Sequence, residues 1–307
     1  MGEFDLIRRC FSFHAGAAPG VLRSVGDDCA VLEAGPLAVS TDTLVAGVHF
    51  PPEAPAEWIA ERAVRVCTSD LAAMAAEPLA ATLALSLTPE AFEQGWAERF
   101  AGGLRPALER AGLRLVGGDT TRGSVSITLT VMGRCEKPVS RDGARPGHRI
   151  GVTGALGGAR AALVRPDLSR SREHPFNRRY WQPPFRLEFA RRLAGRVSAM
   201  LDISDGLLAD LGHILAASRV GATLDGSKIP MQDNLPASQA LEWALTGGDD
   251  YELCFTCPPA QMADIEALAC ELDVPVTWIG DIVAGQGLHV TGFDLASMDI
   301  KGFEHFG

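Results

Sequence analysis

A polar stretch near the middle of the chain, EKPVSRDGARPGHR (136–149), interrupts a succession of strand-like and helix-like segments. It holds two prolines, two glycines and charges of both signs, a composition typical of a connection between elements. Strand and helix patterns occur on both sides of it, which predicts a mixed α/β protein of the α+β class. A chain of 307 residues is long enough for two domains, and we expect them at residues 1–138 and 139–307.

The clearest element of the first half is a helix predicted over residues 89–112. Apolar residues spaced four apart give it one buried face: Phe92, Trp96, Phe100, Leu104 and Leu108. Further helices are predicted at 4–13 and 56–76, with strands at 29–34, 37–42, 80–87, 113–116 and 125–135.

The second half mixes the same two patterns. Strands are predicted at 149–154, 251–257, 274–280 and 287–292, and helices at 159–164, 185–195, 206–218, 236–245 and 259–272. The Pro-bearing stretch Arg165–Pro184 is interpreted as a loop. Cys254 and Cys257 form a CxxC inside a predicted strand, and no second Cys pair completes a zinc site, which favours a structural role over metal or redox use.

Charge and composition exclude several classes of partner. The net charge of −10 argues against binding to nucleic acid or to an anionic membrane. No signal peptide and no uncharged window of transmembrane length is visible, and the cysteine count of seven is odd, so we expect a cytoplasmic protein with reduced thiols.

Aspartates recur where predicted elements begin or end. They lie beside glycine, serine or threonine in the segments GDDC, STDT, TSDLAAM, GGDTTRG, LDISDGLLADLG and GGDDYE. Each one alone is open to a structural explanation, such as a turn or a helix N-cap. Together they indicate a shared acidic site.

Such a site would need cations, because two carboxylates about 5 Å apart repel by roughly 3 kcal/mol at an effective dielectric near 20. Oxygen ligands without His or Cys favour Mg²⁺, and several such ions with phosphates indicate phosphoryl transfer. The chain has no GxxxxGK[ST] motif and no protein-kinase signature, and GALGG (154–158) is interpreted as a packing turn, so ATP would bind on another scaffold.

Six ordered segments resemble those of one known family. VGDDCAVL, VSTDTLVAGVHF, SDLAAMAAEP, GGDTTRG, LDISDGLLADLGHI and TGGDDYELCFT are similar to segments of thiamine-monophosphate kinases, relatives of aminoimidazole-ribonucleotide synthetase and selenophosphate synthetase. The resemblance implies the two-domain synthetase fold and a homodimer built on N-terminal strands. It also implies ATP-dependent phosphorylation of thiamine monophosphate to thiamine diphosphate with several Mg²⁺ ions.

The resemblance also assigns roles to individual residues. It implies metal ligands at Asp28, Ser40, Thr41, Asp42, Asp70, Asp119, Asp202 and Asp205, of which Asp42, Asp70, Asp119 and Asp205 are the catalytic candidates. It implies ATP contacts at Gly118, Asp119, Arg141 and Ser204, and contacts to the thiamine substrate at His49, Asp249 and Phe303.

The chain departs from the family at two places. Asp249 stands where the family usually has Glu, and the segment YWQPPFR (180–186) is less basic than usual. Two other functions remain as alternatives: another ATP-dependent synthetase of the superfamily, and a non-catalytic nucleotide sensor. The retained aspartates favour the kinase over the sensor.

Overall fold

The computed structural model describes residues 6–14, 18–24, 30–33 and 35–292. These residues form two compact units. The first contains the described residues up to Leu71, together with 76–136 and 166–171, and the second contains 72–75, 137–165 and the described residues from Arg172 onward. Asp28 and Phe303 lie outside the described residues.

The first unit is built on a four-stranded sheet in the order β3-β6-β4-β5, beside a two-stranded sheet, β1-β2. Strands β4 and β5 are parallel, whereas β6 runs antiparallel to both β3 and β4. Its strands are β1 (Val21–Arg23), β2 (Val31–Leu32), β3 (Leu37–Val45), β4 (Glu77–Leu87), β5 (Arg114–Arg122) and β6 (Ser126–Arg134). Its helices are the π-helical turn α1 (Ile7–Phe11), α2 (Ala56–Ala73), α3 (Pro89–Glu93) and α4 (Trp96–Ala111).

The two long helices of this unit, α2 and α4, come into close contact at one glycine, Gly103. Phe100, Leu104 and Leu108 of α4 are fully buried, as the four-residue spacing predicts. Gly103 makes the close approach possible, because a Cβ there would lie 2.3 Å from the carbonyl oxygen of Glu57 on α2. Burying a side chain of the size of Phe100 stabilises the fold by about 2–3 kcal/mol.

Two predictions for the first unit need correction. The single helix predicted at 89–112 is two helices, α3 and α4, because Gly95 between them has a left-handed backbone with φ 68°. The segment GGDTTRG lies between the strands predicted at 113–116 and 125–135, but most of it continues β5 at the edge of the sheet. Gly118 is needed there, since a Cβ would lie 1.9 Å from the carbonyl oxygen of Leu83.

The second unit is built on a six-stranded sheet in the order β12-β9-β11-β7-β10-β8. Its strands are β7 (Arg149–Thr153), β8 (Ala199–Asp202), β9 (Gly221–Asp225), β10 (Leu253–Cys257), β11 (Val276–Val283) and β12 (Gly287–Thr291). Its helices are α5 (Gly158–Leu163), α6 (Pro175–Trp181), α7 (Leu187–Leu193), α8 (Leu207–Ser218), α9 (Ala240–Thr246) and α10 (Met262–Glu271). Helix α8 packs on the sheet through buried Leu207, Leu211 and Ile214.

The loop predicted at Arg165–Pro184 was wrong in part, because it contains α6. Pro175 occupies the first turn, the His174 ring accepts a hydrogen bond from the N–H of Phe176, and Tyr180 and Trp181 are buried. Strands β8 and β9 were missed. Cys254 and Cys257 are buried, free thiols three residues apart in β10, so they point to opposite faces of the sheet and fit the structural interpretation.

Candidate active site

The predicted ligands of the first unit meet where β3 lies against α2. Ser40 and Asp42 alternate with exposed residues along β3 and therefore share the face that points toward the helix. The Ser40 hydroxyl donates a hydrogen bond to Oδ2 of Asp70, which lies one turn after Cys67 on α2. Three oxygen-bearing side chains are thus brought together from two elements.

This cluster is electrostatically costly without a counter-charge. Burial, and the neighbouring Asp70 carboxylate, raise the pKa of Asp42 from 3.8 to about 6. Cys67 donates from its thiol to the carbonyl oxygen of Leu129 at 3.1 Å, and burial raises the pKa of that thiol far above its usual range. The cysteine is therefore a neutral neighbour, and the donors suited to a hard cation are all oxygens.

Thr41 and Asp119 lie on the opposite face of the same sheet. Residues paired across neighbouring strands point to the same face of a sheet. Asp119 on β5, Ala84 on β4, Thr128 on β6 and Thr43 on β3 form one such line of partners. Asp42 is the neighbour of Thr43 along β3, so its side chain points to the other face. Asp119 is exposed and lies three strand spacings, about 14 Å, across the sheet from Asp42. Within this unit, Asp119 and Asp42 are not brought together.

His49 follows the end of β3. Its ring Nδ1 accepts a hydrogen bond from the backbone N–H of Val45 at 3.0 Å, and the backbone N–H of His49 donates to the Val45 carbonyl oxygen at 2.9 Å. Because Nδ1 accepts, the proton of the neutral ring is on Nε2. The side chain is half-buried, with its orientation fixed by the turn.

In the second unit, the loop between β8 and α8 carries Asp202, Ser204 and Asp205. Asp202 ends β8 and is buried. The N–H groups of Ser204, Asp205 and Gly206 all donate to Oδ2 of Asp210, at 3.0, 2.9 and 3.1 Å. Burial raises the pKa of Asp210 to about 6 in spite of these donors. Asp210 holds the backbone of the predicted site but was not among the predicted site residues.

The segment GGDDYE (247–252) divides its carboxylates between the interior and the surface. Asp250 is 1% exposed and accepts a hydrogen bond from the N–H of Gly157 at 2.7 Å. Glu252 is fully buried between Arg179 and Arg186, whose guanidinium nitrogens lie 2.9 and 2.7 Å from its carboxylate oxygens. Burial by itself would raise the pKa of Glu252, but the two arginines, Arg186 more than Arg179, lower it below its usual value. Asp249 is half-buried and is the only carboxylate of this segment not enclosed by the core.

Glu252 leaves no room for a side chain at a neighbouring glycine, and it holds one end of the segment YWQPPFR before α7. A Cβ at Gly154, which has φ 59°, would lie 1.8 Å from Oε1 of Glu252. Arg186 ends the segment YWQPPFR and is held by Glu252, so this segment is anchored to the core in this chain. The sequence signal for this pair was weak, because an Arg and a Glu 66 positions apart carry no local pattern.

Arg141 is exposed and lies near the start of the second unit. Its carbonyl oxygen accepts a hydrogen bond from the Ser218 hydroxyl at 2.9 Å, which fixes its backbone to the end of α8.

Within the described residues, no three His, Cys, Asp or Glu side chains are arranged around one point that could hold a metal ion. Among them, also, no helix is long and apolar enough to cross a bilayer.

Comparison with known proteins identifies the family. Residues 26–135 match the family described as AIR synthase related protein, N-terminal domain, and residues 145–292 match the corresponding C-terminal domain. The chain is 41% identical to the thiamine-monophosphate kinase of Salmonella typhimurium, over 99% of this chain and 98% of the relative. The chain belongs to the thiamine-monophosphate kinase family.

Other thiamine-monophosphate kinases agree with this assignment. The Escherichia coli K12 protein is 40% identical over 99% of this chain and 98% of its own length. The crystal structure of the Stenotrophomonas maltophilia kinase has a TM-score of 0.85 and 40% identity, covering 94% of this chain and 95% of that chain. The structure of AaThiL complexed with AMPPCP and TMP has a TM-score of 0.78 and 30% identity, covering 99% of this chain and 97% of that chain.

The fold extends beyond the kinase family. The hydrogenase maturation protein HypE of E. coli has a TM-score of 0.75 at 18% identity, covering 98% of this chain and 100% of that chain, which indicates a common fold alone. The resemblance drawn from the six segments is therefore confirmed, as is the mixed α/β class with the AIR synthase fold.

Proposed function

We propose that this protein is a thiamine-phosphate kinase that phosphorylates thiamine monophosphate to thiamine diphosphate with ATP. The observation that carries the proposal is similarity along the whole chain to thiamine-monophosphate kinases, at 41% identity in one case. The structure of a relative with 30% identity, AaThiL, has been solved in complex with AMPPCP and TMP. The half-buried pair Asp42 and Asp70 supplies the anionic oxygens that such chemistry needs.

Magnesium is the proposed cofactor. The donors at the β3–α2 contact are a hydroxyl and two carboxylates, which suits a hard cation. Partial burial and mutual repulsion of the two carboxylates disfavour leaving their charge uncompensated. Ser40, Asp42 and Asp70 would hold an ion in the first unit, and Asp202 and Asp205 are the proposed ligands in the second; Asp28, Thr41 and Asp119 complete the proposed set. Bound Mg²⁺ would neutralise charge on the transferred phosphate.

The substrates are assigned from the same resemblance. Gly118, Asp119, Arg141 and Ser204 are proposed to contact ATP, where the planar guanidinium of Arg141 suits phosphate oxygens. His49 and Asp249 are proposed to contact the acceptor; the bond that Nδ1 of His49 accepts from the Val45 N–H fixes the orientation of its ring. Phe303, which lies outside the described residues, is proposed to stack on an aromatic ring of the acceptor.

Transfer is proposed to be direct. An oxygen of the acceptor phosphate attacks the γ-phosphorus of ATP, the bond from that phosphorus to the bridging oxygen breaks, and ADP leaves with the electron pair. The nucleophile is already anionic, so no general base is required, and the protein contributes placement and electrostatic stabilisation. An aspartyl-phosphate route through Asp250 is disfavoured, because that carboxylate is buried and bonded to Gly157.

We further propose a cytoplasmic homodimer joined through the first unit. The uncovered sheet face presents Leu37 and Val39, which are 40% and 60% exposed on the edge strand β3. Beside them, Thr41 and Thr43 are hydrogen-bonded to Thr130 and Thr128 at 2.8 and 2.7 Å. A second copy on this face would shield the apolar residues.

The deciding experiment is a transfer assay. The protein is incubated with ATP, Mg²⁺ and a panel of phosphomonoesters that includes thiamine monophosphate, and ADP and diphosphate products are measured. Thiamine diphosphate formed in proportion to ADP supports the proposal. ATP hydrolysis without thiamine diphosphate would favour another ATP-dependent synthetase, and nucleotide binding without turnover would favour a sensor.

A further inference from the structure

Asp249 and Tyr251 hold a strained backbone. Their φ values are 69° and 50°, in the left-handed region that residues with side chains rarely adopt. The strain is held by the β8–α8 loop: the N–H of Asp249 donates to the Ser204 carbonyl oxygen and that of Tyr251 to the Ile203 carbonyl oxygen, both at 2.8 Å. Strain of this kind persists only where surrounding contacts fix it, and it concentrates at functional sites.

The side chains of the same segment fall into two pairs: one pair bonds to the interior, and the two members of the other pair bond to each other. Asp250 and Glu252 are bonded to the interior, to Gly157 and to the two arginines respectively. The hydroxyl of Tyr251 donates to Oδ1 of Asp249 at 3.0 Å. Tyr251 is 9% exposed, so a rigid and largely buried ring carries the donor that meets the half-buried carboxylate.

We propose that Tyr251 is a positioning residue for acceptor recognition: its phenol fixes the direction in which the Asp249 carboxylate meets a cationic or hydrogen-bond-donating group of the acceptor. This inference rests on the proposed function. A carboxylate on a short side chain turns about two bonds, and one charge-assisted hydrogen bond from a fixed ring selects among its rotamers. Two strained residues thus bring a donor and an acceptor together two positions apart in the chain.

The test compares Tyr251→Phe with a matched control. Tyr180 is the other tyrosine of the chain, lies in the same unit and is 1% exposed, so Tyr180→Phe also removes a buried hydroxyl. Steady-state kinetics are measured separately for thiamine monophosphate and for ATP. We expect Tyr251→Phe to raise KM for thiamine monophosphate about tenfold, as for loss of a hydrogen bond to a charged group, with KM for ATP unchanged. The melting temperature should fall by a few degrees at most, as for one lost hydrogen bond, and the protein should remain folded. Tyr180→Phe should leave both KM values unchanged.

Coupling separates a positioning role from a general structural one. In an Asp249→Ala background, Tyr251→Phe should change KM for the acceptor less than twofold, because the phenol no longer has that carboxylate to orient. An active wild type with unchanged acceptor KM in Tyr251→Phe would overturn the role of Tyr251 alone. Equal tenfold losses in both backgrounds, or equal effects on the KM of ATP, would also overturn it. A wild type that does not phosphorylate thiamine monophosphate would overturn the proposed function and this role together.

Discussion

The hydroxyl of Ser40 on β3 donates a hydrogen bond to the carboxylate of Asp70 on α2. Ser40 lies two residues before Asp42, on the same face of the strand. The strand and the helix are therefore joined through the groups that we assign to the metal. Loss of charge at either carboxylate should affect chemistry more than folding, because an asparagine keeps the shape of the side chain.

Asp42→Asn and Asp70→Asn should each lower turnover at least about a hundredfold, since stabilisation of transferred charge by a metal is worth several kcal/mol. Both changes are near-isosteric, so circular dichroism and the melting transition should show a folded protein. Glu109→Gln on α4 is the control, because Glu109 is an exposed partner of Arg105 far from this chemistry in sequence. Activity within a few-fold of wild type in both aspartate variants would remove them from the metal site.

Divalent ions should stabilise the native protein. The raised pKa of Asp42 reflects burial and the unscreened Asp70 carboxylate, and a cation bound to the native state alone opposes both. Saturating Mg²⁺ with a non-hydrolysable ATP analogue should raise the melting temperature by about 5 °C or more. The Asp42→Asn variant should gain clearly less, and equal midpoints for the wild type with and without ligand would contradict a shared site.

No phosphoenzyme should accumulate. Enzyme mixed with γ-labelled ATP and Mg²⁺, without acceptor, should carry no label after denaturation, and Asp250→Asn should keep at least about half of the wild-type turnover because Asp250 bonds to the interior. Label that remains on the protein and passes to thiamine diphosphate at the turnover rate would refute direct transfer.

Asp250→Asn should also change how stability depends on pH. Burial raises the pKa of Asp250 from 3.8 to about 7, so between these values the native state binds this proton more tightly than the unfolded chain does. This residue therefore lowers wild-type stability as pH rises from about 4 to 7, and the effect levels off above that range. Urea unfolding should show Asp250→Asn gaining stability relative to wild type over this interval. Asp233→Asn, an exposed control, should run parallel to the wild type.

Val39→Asp should convert the proposed dimer to a monomer, because it places a charge on the uncovered face of β3. Light scattering after gel filtration measures the mass directly. Val164→Asp is the matched control: Val164 is 58% exposed, against 60% for Val39, and lies in the second unit. A wild type that is monomeric at micromolar concentration would rule out the proposed interface.

The sequence predicted local periodicity well and non-local partnership poorly. The shared face of Ser40 and Asp42 follows from the two-residue period of a strand, whereas the contact of that face with Asp70 depends on packing between β3 and α2. Strands β8 and β9, AMLD and GATLD, were missed because each is short. β8 is buried throughout, and the alternation of buried and half-buried residues in β9 extends over only four residues. Asp210 was passed over because it lies inside a helix, where its bonds to the preceding loop leave no signature.

Asp119 illustrates the same limit. This aspartate and its glycine neighbours were interpreted as part of one acidic site that includes Asp42. The strand order β3-β6-β4-β5 instead places the two residues on opposite edges of the sheet, and the strand pairing places their side chains on opposite faces. Sheet order depends on contacts distant in sequence and could not be obtained from one chain.

The alternation along β3 also limits how the length of this strand can change during evolution. Ser40 and Asp42 face the helix, while Thr41 and Thr43 bond across to β6 on the other side. One inserted or deleted residue before Ser40 would exchange the two sets, removing the carboxylate from Asp70 and placing it on the uncovered face. Changes by two residues, or a single insertion absorbed by a bulge, would keep both faces in use.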